Sequence, residues 1–416
     1  MPPLPLLPPP GIDAGNILID AGGIGGLTFL EAPGNIAAGS IESNGGTIFL
    51  NSIAGSISTT GLLDSTAATG DSGLIALQAN GDITASGLDA SSDDGNSGDV
   101  TLYSVTGDIA ADAIDASSID SEGGEVLLFS QEGAIAAGDI DTSSDNSIGG
   151  NVTFQGLENV TTASIDASGI SGGEIDLRST NGGIASRGTL TSGGENVTLQ
   201  GSGNVAAASI TSNGGEILLN STTGEITTTG TLDSTADTGS GSIELAAQGN
   251  ITANNFNTSN TNNNAADVTL YSETGNIDTE SVDASAIDGD GGAVEFHAES
   301  GSLTAGNIDT SSENGNSSNV TLFARNDLTT ASMNVSGSGG EIDLRSTNGG
   351  IDTSGGTLTS SGENVTLQGQ QAISTPMAAR SSCGRLMARL TRQMARSIPR
   401  ELGGMGGMSP YTVKEI

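Results

Sequence analysis

The chain has 416 residues, of which 49 are acidic and 11 basic, so its net charge is −38. This charge excludes a surface that binds nucleic-acid phosphates, while the single Cys and single His exclude an internal disulfide and a zinc site of about four ligands. No stretch approaches the roughly 20 apolar residues of a membrane helix, and 64 glycines with 2% aromatics fit a disordered chain unless a repeat imposes order.

The first segment, residues 1–14, is rich in proline. Met1–Pro10 reads MPPLPLLPPP, which favours a polyproline II conformation. A secretory signal would combine a basic start with an apolar core and far less proline. We therefore expect a segment distinct from the folded domain, and no export signal in this chain.

Residues 15–375 repeat a short pattern of apolar residues. A β-branched or aliphatic residue, any residue, and then Leu or Phe form a triplet that recurs fifteen times, from a slightly irregular member at Leu27–Phe29 to Val365–Leu367, on average every 24 residues. Two more apolar positions recur in the repeat, one shortly after a glycine, as at Ile83, and one before aspartate, as at Leu88. Because alternate residues of a strand point to opposite faces, each repeat predicts three short strands.

Short strands at a fixed spacing of roughly 20–50 residues are typical of a solenoid, in which each strand bonds to its equivalents in the turns above and below. The sequence therefore predicts an all-β fold, a parallel β-helix (β-solenoid) of about 15 turns with about 24 residues in each. With strands about 4.8 Å apart, the rod would be about 70 Å long.

A longer repeat of about 168 residues is superimposed on the short one. Gly172–Ile184 and Gly339–Ile351 share the word GGEIDLRSTNGGI, and Asp99–Ser104 and Asp267–Ser272 share DVTLYS. The solenoid thus divides into two long repeats, about 27–195 and 196–362, and a third begins at residue 363.

Residues 376–416 form a basic tail that does not follow the repeat. Seven of the eleven basic residues, the only Cys and five of the seven Met lie there. As protein, the tail resembles a basic amphipathic helix that touches anionic membranes. As codons, Ser382–Ala388 and Gly407–Val413 permit the repeat words LRSTNG and DVTLYS in a shifted reading frame. We favour the frame shift, under which the tail's charge and Cys383 carry no selected chemistry.

The sharpest candidate for binding chemistry is a column of aspartates. Each follows the apolar residue of a Leu-Asp, Ile-Asp or Val-Asp pair, so its side chain should point outward. Stacked carboxylates about 4.8 Å apart repel by roughly 1 kcal/mol per neighbour in water, and Ca²⁺ between them would relieve the repulsion. The alternative is a solvated ladder that keeps the rod soluble, and the Gly-Gly-x-Gly-x-Asp word of calcium-binding solenoids is not present. The column, a weak calcium candidate and the one cofactor we consider, comprises Asp64, Asp89, Asp115, Asp141 and Asp166, with Asp233, Asp283 and Asp309 in the second long repeat.

Other polar motifs favour structural roles. A second column of Asn and Asp suits turns or amide ladders along a rod: Asn35, Asp82, Asp108, Asn159, Asn204, Asn250 and Asn276. Asn-x-Thr triplets, as at Asn151, coincide with strand triplets and so favour strand structure over glycosylation. His297 has no evident partner, and one His builds no Ser-His-Asp or Cys-His set. Arg178 and Arg345 occupy equivalent repeat positions, so we expect repeat features and no catalysis.

The words GGEIDLRSTNGG at Gly172–Gly183 and IDTSS at Ile140–Ser144 resemble the repeat region of filamentous haemagglutinin-like exoproteins. These large bacterial proteins, common in cyanobacteria, are exported by two-partner secretion. The resemblance covers about residues 15–375 and implies a right-handed parallel β-helix at the cell surface or shed from it, often for adhesion. The family's N-terminal secretion domain, which meets an outer-membrane partner, has no match here, so we expect an internal fragment of such a protein.

Four functional hypotheses follow. The first is an extracellular adhesive rod whose acidic, Thr- and Ser-rich faces contact glycans or other cell surfaces. The second is a polysaccharide-active enzyme, which would need acidic and basic side chains converging in a pocket on one turn. The third, an ice- or mineral-binding solenoid, needs a regular Thr array, whereas only scattered pairs such as Thr227 and Thr229 occur. The fourth is a non-functional gene remnant.

Overall fold

The protein is a stack of parallel strands, as the solenoid prediction requires. A computed structural model describes residues 10–18, 25–361, 364–370, 373–374 and 380–381. Every strand pairing within these ranges is parallel, and they contain no helix. Each full turn contributes three strands, called strand 1, strand 2 and strand 3 here in the order of the apolar triplet, the post-glycine position and the pre-aspartate position. The β-solenoid is thereby confirmed.

Strand 1 is the longest in most turns, and its fifteen copies form one continuous sheet. The copies are Thr28–Ala32, Ile48–Ser52, Ile75–Ala79, Val100–Ser104, Val126–Ser130, Val152–Gly156, Ile175–Ser179, Val197–Gly201, Ile217–Ser221, Ile243–Ala247, Val268–Ser272, Val294–Ala298, Val320–Ala324, Ile342–Ser346 and Val365–Gln368.

Strands 2 and 3 lie in a second sheet of 28 strands. Strand 2 comprises Ile12–Ala14, Ile36–Ala38, Ile57–Thr59, Ile83–Ala85, Ile109–Ala111, Ile135–Ala137, Val160–Thr162, Ile184–Ser186, Val205–Ala207, Leu328–Thr330, Ile351–Asp352 and Ile373–Ser374. Strand 3 comprises Ile17–Leu18, Ile41–Glu42, Leu63–Asp64, Leu88–Asp89, Ile114–Asp115, Ile140–Asp141, Ile165–Ala167, Thr189–Ser192, Ser209–Thr211, Met333–Val335, Leu358–Ser360 and Arg380–Ser381. In four turns the two merge, giving Ile226–Asp233, Ile251–Asn257, Ile277–Asp283 and Leu303–Asp309. A small third sheet pairs Ile148–Gly149 with Ser171–Gly172.

The core is a set of columns in which equivalent residues lie above one another. Val100 pairs with Ile75 on one side and Val126 on the other, and all three are fully buried. The inward Ile, Val, Leu and Ala of the stacked turns form one contiguous apolar cluster. Stacking thus gives each turn the buried partner that a single turn of about 24 residues lacks.

The first triplet was predicted one residue out of register. The structure pairs Thr28 with Ile48 and Leu30 with Leu50, so Thr28 and Leu30 take the inward positions. Leu27 is left 66% exposed, and Phe29 turns outward and stacks on Phe49, with ring centroids 5.3 Å apart. Pairing with the next turn, rather than the local triplet, sets which face is buried.

Two strand pairings lie outside the predicted solenoid range 15–375. Ile12–Ala14 pairs with Ile36–Ala38, so strands begin within the proline-rich segment 1–14. Near the other end, the backbone of Arg380–Ser381 pairs with Thr359 and Ser360, inside the predicted tail 376–416. The rest of that tail lies outside the described residues, and the frame shift and the right-handed winding stay predictions.

Candidate functional site

The predicted aspartate column exists as a ladder on strand 3. Asp89 lies in register with Asp64 on one side and Asp115 on the other, and Asp141 and Asp166 continue the column. In the second long repeat the ladder is diluted, because Asn257 lies between Asp233 and Asp283, and Asp309 follows.

A local turn holds each carboxylate of the aspartate column. Asp89 Oδ1 accepts hydrogen bonds from the Ser91 hydroxyl at 2.7 Å and from the Ser91 N–H at 3.1 Å. The same Asp-x-Ser/Thr turn recurs along the column. Asp and Asn favour this turn because the side-chain oxygen reaches the backbone two residues on.

Within the aspartate column, the pKa of the Asp89 carboxyl group is raised. Burial raises the pKa of its carboxyl group, the two hydrogen bonds from Ser91 oppose this, and the charges of Asp115 and Asp64 add to it. In the described part of the chain, no three His, Cys, Asp or Glu side chains converge closely enough to hold a metal ion. Calcium at the column therefore stays a prediction.

The second polar column links neighbouring turns. Asp82 Oδ1 accepts the backbone N–H of Asp108 at 3.0 Å, and Asp108 Oδ1 accepts that of Ala134 at 2.8 Å. The other five members, Asn35, Asn159, Asn204, Asn250 and Asn276, make the same bond to the next turn. Asn151, from the Asn-x-Thr motif, likewise accepts the N–H of Glu174 at 2.9 Å. These bonds support the structural interpretation of both motifs.

A buried serine at the end of strand 1 was missed in the sequence. Its hydroxyl donates to a carbonyl of the preceding turn and accepts the N–H of a glycine three residues later. We call this arrangement the serine corner. The signal in the sequence is the repeated word Ser-x-x-Gly, and its members are Ser52, Ser104, Ser130, Ser179, Ser221, Ser272 and Ser346.

The outward face of the strand 1 sheet carries a second feature that was missed. The fourth residue of each strand 1 points outward, and these residues form a row along the rod, here called the outer row. From turn to turn it reads Glu31, Asn51, Gln78, Tyr103, Phe129, Gln155, Arg178, Gln200, Asn220, Ala246, Tyr271, His297, Phe323, Arg345 and Gln368. The alternation that places Leu102 inside places Tyr103 outside. The apolar triplets end one residue before this row, so they do not reveal it.

The aromatic residues of the outer row form two clusters. The rings of Tyr103 and Phe129 stack with centroids 5.4 Å apart and planes 3° from parallel. In the second cluster, His297 lies between Tyr271, at 5.6 Å, and Phe323, at 4.4 Å.

The prediction that His297 has no partner is wrong. Besides the two neighbouring rings, its Nε2 lies 2.8 Å from Glu299 Oε2. His297 lies in the strand Val294–Ala298, and Glu299 is the first residue after it. Because the two residues are two positions apart, both side chains lie on the outward face.

Both repeat arginines are paired within their own strand. Arg178 Nε donates to both oxygens of Asp176, at 2.8 and 2.9 Å. Arg345 donates to the two oxygens of Asp343 from Nε, at 3.0 Å, and from Nη2. The hydrogen bonds and charges of these aspartates raise the pKa of each guanidinium. Each arginine side chain is 54% exposed, so acid and base meet on an open sheet surface.

Two surface depressions lie on the strand 1 side of the molecule. One, of about 400 Å³, is lined by Phe323, Arg345, Thr347 and Gln368 and thus adjoins the outer row. The other, of about 460 Å³, is lined by glycines and by the acidic residues Asp99, Glu122, Glu125, Glu174 and Glu195.

No family model, no curated protein and no solved structure matches the chain. Within the described ranges a membrane-spanning helix is absent.

Proposed function

We propose that the chain is a structural, adhesive rod of an extracellular or cell-surface protein, of the kind that the resemblance to haemagglutinin-like adhesins implies. The observation that carries the proposal is the register of the fifteen strand 1 copies. In-register stacking turns every outward position into a row that runs the length of the rod, about 70 Å. Such rows offer extended contact to a polymer or to another surface.

The chemistry of the surface favours glycans or other cell surfaces as partners. A net charge of −38 keeps the rod soluble and disfavours polyanions. Catalysis on a polysaccharide would draw on an acid and a base at the reacting atoms. Arg178 and Arg345 are instead each paired to an aspartate on an exposed sheet face.

Binding assays on the purified 416-residue chain test the proposal. The chain, immobilised on beads, should retain polysaccharides or whole cells more strongly than beads carrying an unrelated acidic protein. Small-angle scattering should give an elongated particle. Failure to retain either class of target, or release of new reducing or unsaturated sugar ends from a polysaccharide, would overturn the adhesive proposal, the second result in favour of the enzyme.

A further inference from the structure

We infer that the outer row holds two equivalent platforms that bind a neutral, extended glycan lying along the rod. Platform 1 is Tyr103, Phe129, Gln155, Arg178 and Gln200, and platform 2 is Tyr271, His297, Phe323, Arg345 and Gln368. The inference rests on the proposed adhesive function and adds the residues and the class of ligand.

The platforms are related by the long repeat. Tyr103 and Tyr271 are separated by 168 residues, and Gln200 and Gln368 by the same number. Each platform occupies five consecutive turns in unbroken register, and Asn220 and Ala246 lie between them. Each platform begins with aromatic side chains, two in platform 1 and three in platform 2, and each ends with an Arg-Gln pair.

The side chains of a platform are matched to a sugar chain. Tyr271 is 40% exposed, and Phe323 is half-buried beside a surface depression. Exposed rings present an apolar surface with a polar handle at tyrosine, and the C–H face of a pyranose packs on such a surface. The amides and the planar guanidinium fork that follow suit the sugar hydroxyls.

Charge selects a neutral glycan over an acidic one. Arg178 and Arg345 are the permanent cations of the platforms, and an aspartate already neutralises each of them. The rest of the rod is strongly acidic, so a polyanion would be repelled along its whole length.

The spacing of the row fits a chain parallel to the rod. Turns are about 4.8 Å apart, close to the length of one sugar in an extended glycan, so five turns would meet roughly five sugars. Tyr103 and Tyr271 are seven turns apart, about 34 Å. A long polysaccharide can then engage both platforms, and the second contact is made at a high effective concentration.

Calorimetry with neutral hexasaccharides (cellohexaose, xylohexaose, mannohexaose) on the full chain tests the inference. At least one should bind the wild type with two sites per chain. The pair Tyr103→Ala and Phe129→Ala should leave one site, as should Tyr271→Ala with Phe323→Ala, and all four together should leave none. On the corresponding long polysaccharide, either pair should weaken apparent binding by about tenfold or more, because bivalent contact is lost.

Two control variants separate ring loss from misfolding. Phe29→Ala removes a 53% exposed stacked ring that lies outside the outer row, and it should keep both sites. Tyr103→Phe keeps the ring and should keep binding within a fewfold. Circular dichroism should show the same β-structure in all variants.

The outcomes distinguish this inference from the adhesive proposal. If the chain retains glycans or cells but the fourfold variant binds as the wild type does, the platforms are wrong and the adhesive rod stands. If alginate, an anionic polysaccharide, binds and the neutral glycans do not, the ligand class is wrong. If the wild type retains neither glycans nor cells, both proposals fall.

Discussion

Replacing Ala298 by Ser should stabilise its turn, and replacing Ser272 by Ala should destabilise the turn before it. Seven turns have a serine corner, with glycine three residues after the buried serine. Ala298 is also followed by glycine at that distance, Gly301, but has no hydroxyl to complete the corner. The chain thus contains a natural serine-to-alanine exchange in an otherwise equivalent setting.

The hydrogen bonds of Ser272 set the magnitude. Its Oγ donates to the Gly249 carbonyl at 2.8 Å and accepts the Gly275 N–H at 3.1 Å, and the residue is fully buried. At about 1 kcal/mol for each hydrogen bond, Ser272→Ala should lower the free energy of unfolding by about 2 kcal/mol. Ala298 is also fully buried, so Ala298→Ser should raise it by about 1–2 kcal/mol.

Hydrogen exchange at single amides is the suitable assay, because a solenoid opens turn by turn and a global transition averages over its turns. A loss of about 2 kcal/mol corresponds to roughly 30-fold faster exchange at the Gly275 amide. Ala298→Ser should slow exchange at the Gly301 amide by about tenfold. Ala247→Ser is the matched control, because the connection to the next strand is one residue shorter there: Ile251 follows Ala247 by four residues, whereas Leu303 follows Ala298 by five. The N–H three residues on is then not in the position of the corner glycine, and the substitution should bring no gain. Equal effects of Ala298→Ser and Ala247→Ser, or unchanged exchange at Gly275 in Ser272→Ala, would refute the hydrogen-bond account of the corner.

Four further predictions concern the aspartate column, the core and one turn. Asp89→Asn should raise stability at pH 7 and low salt by up to about 1 kcal/mol, because it removes repulsion from Asp64 and Asp115, and the gain should shrink with added NaCl in urea titrations. Burial raises the pKa of Asp89. The stability that Asp89 contributes is therefore full below its unfolded-state pKa and is lost as pH rises through its folded-state pKa. Urea midpoints measured across this pH range should fall more in the wild type than in Asp89→Asn. Leu102→Ala, at a fully buried position, should cost about 3 kcal/mol and should expose only the adjoining turns to limited proteolysis; cleavage along the whole rod would contradict the local model. Asn213 has a φ of 49° and donates from Nδ2 to the Ser192 carbonyl at 2.6 Å, so Asn213→Ala should lower the urea midpoint by the equivalent of about 1–2 kcal/mol, whereas equal stability would show that the left-handed turn carries no strain.

Much of the fold could be predicted because each turn of a solenoid corresponds to one repeat of the sequence. The triplet spacing gave the strand 1 positions from Ile48 onward, and alternation gave their buried faces. The aspartate column could be placed on one face for the same reason, since residues at equal offsets in stacked turns lie above one another. Composition, charge and period therefore determine the β-solenoid and its acidic ladder without any long-range information.

The three-dimensional structure decided the features that depend on pairing between turns. Local sequence allowed Leu27–Phe29 as the first triplet, and only the register with Ile48 turned Phe29 outward. The two rings that contact His297, those of Tyr271 and Phe323, likewise come from different turns, each 26 residues away in the chain, and so do the members of each platform. The period of the sequence determines which residues face outward. Contacts between their side chains depend on which turns stack and in what register, and the register is set by burial of the whole apolar column.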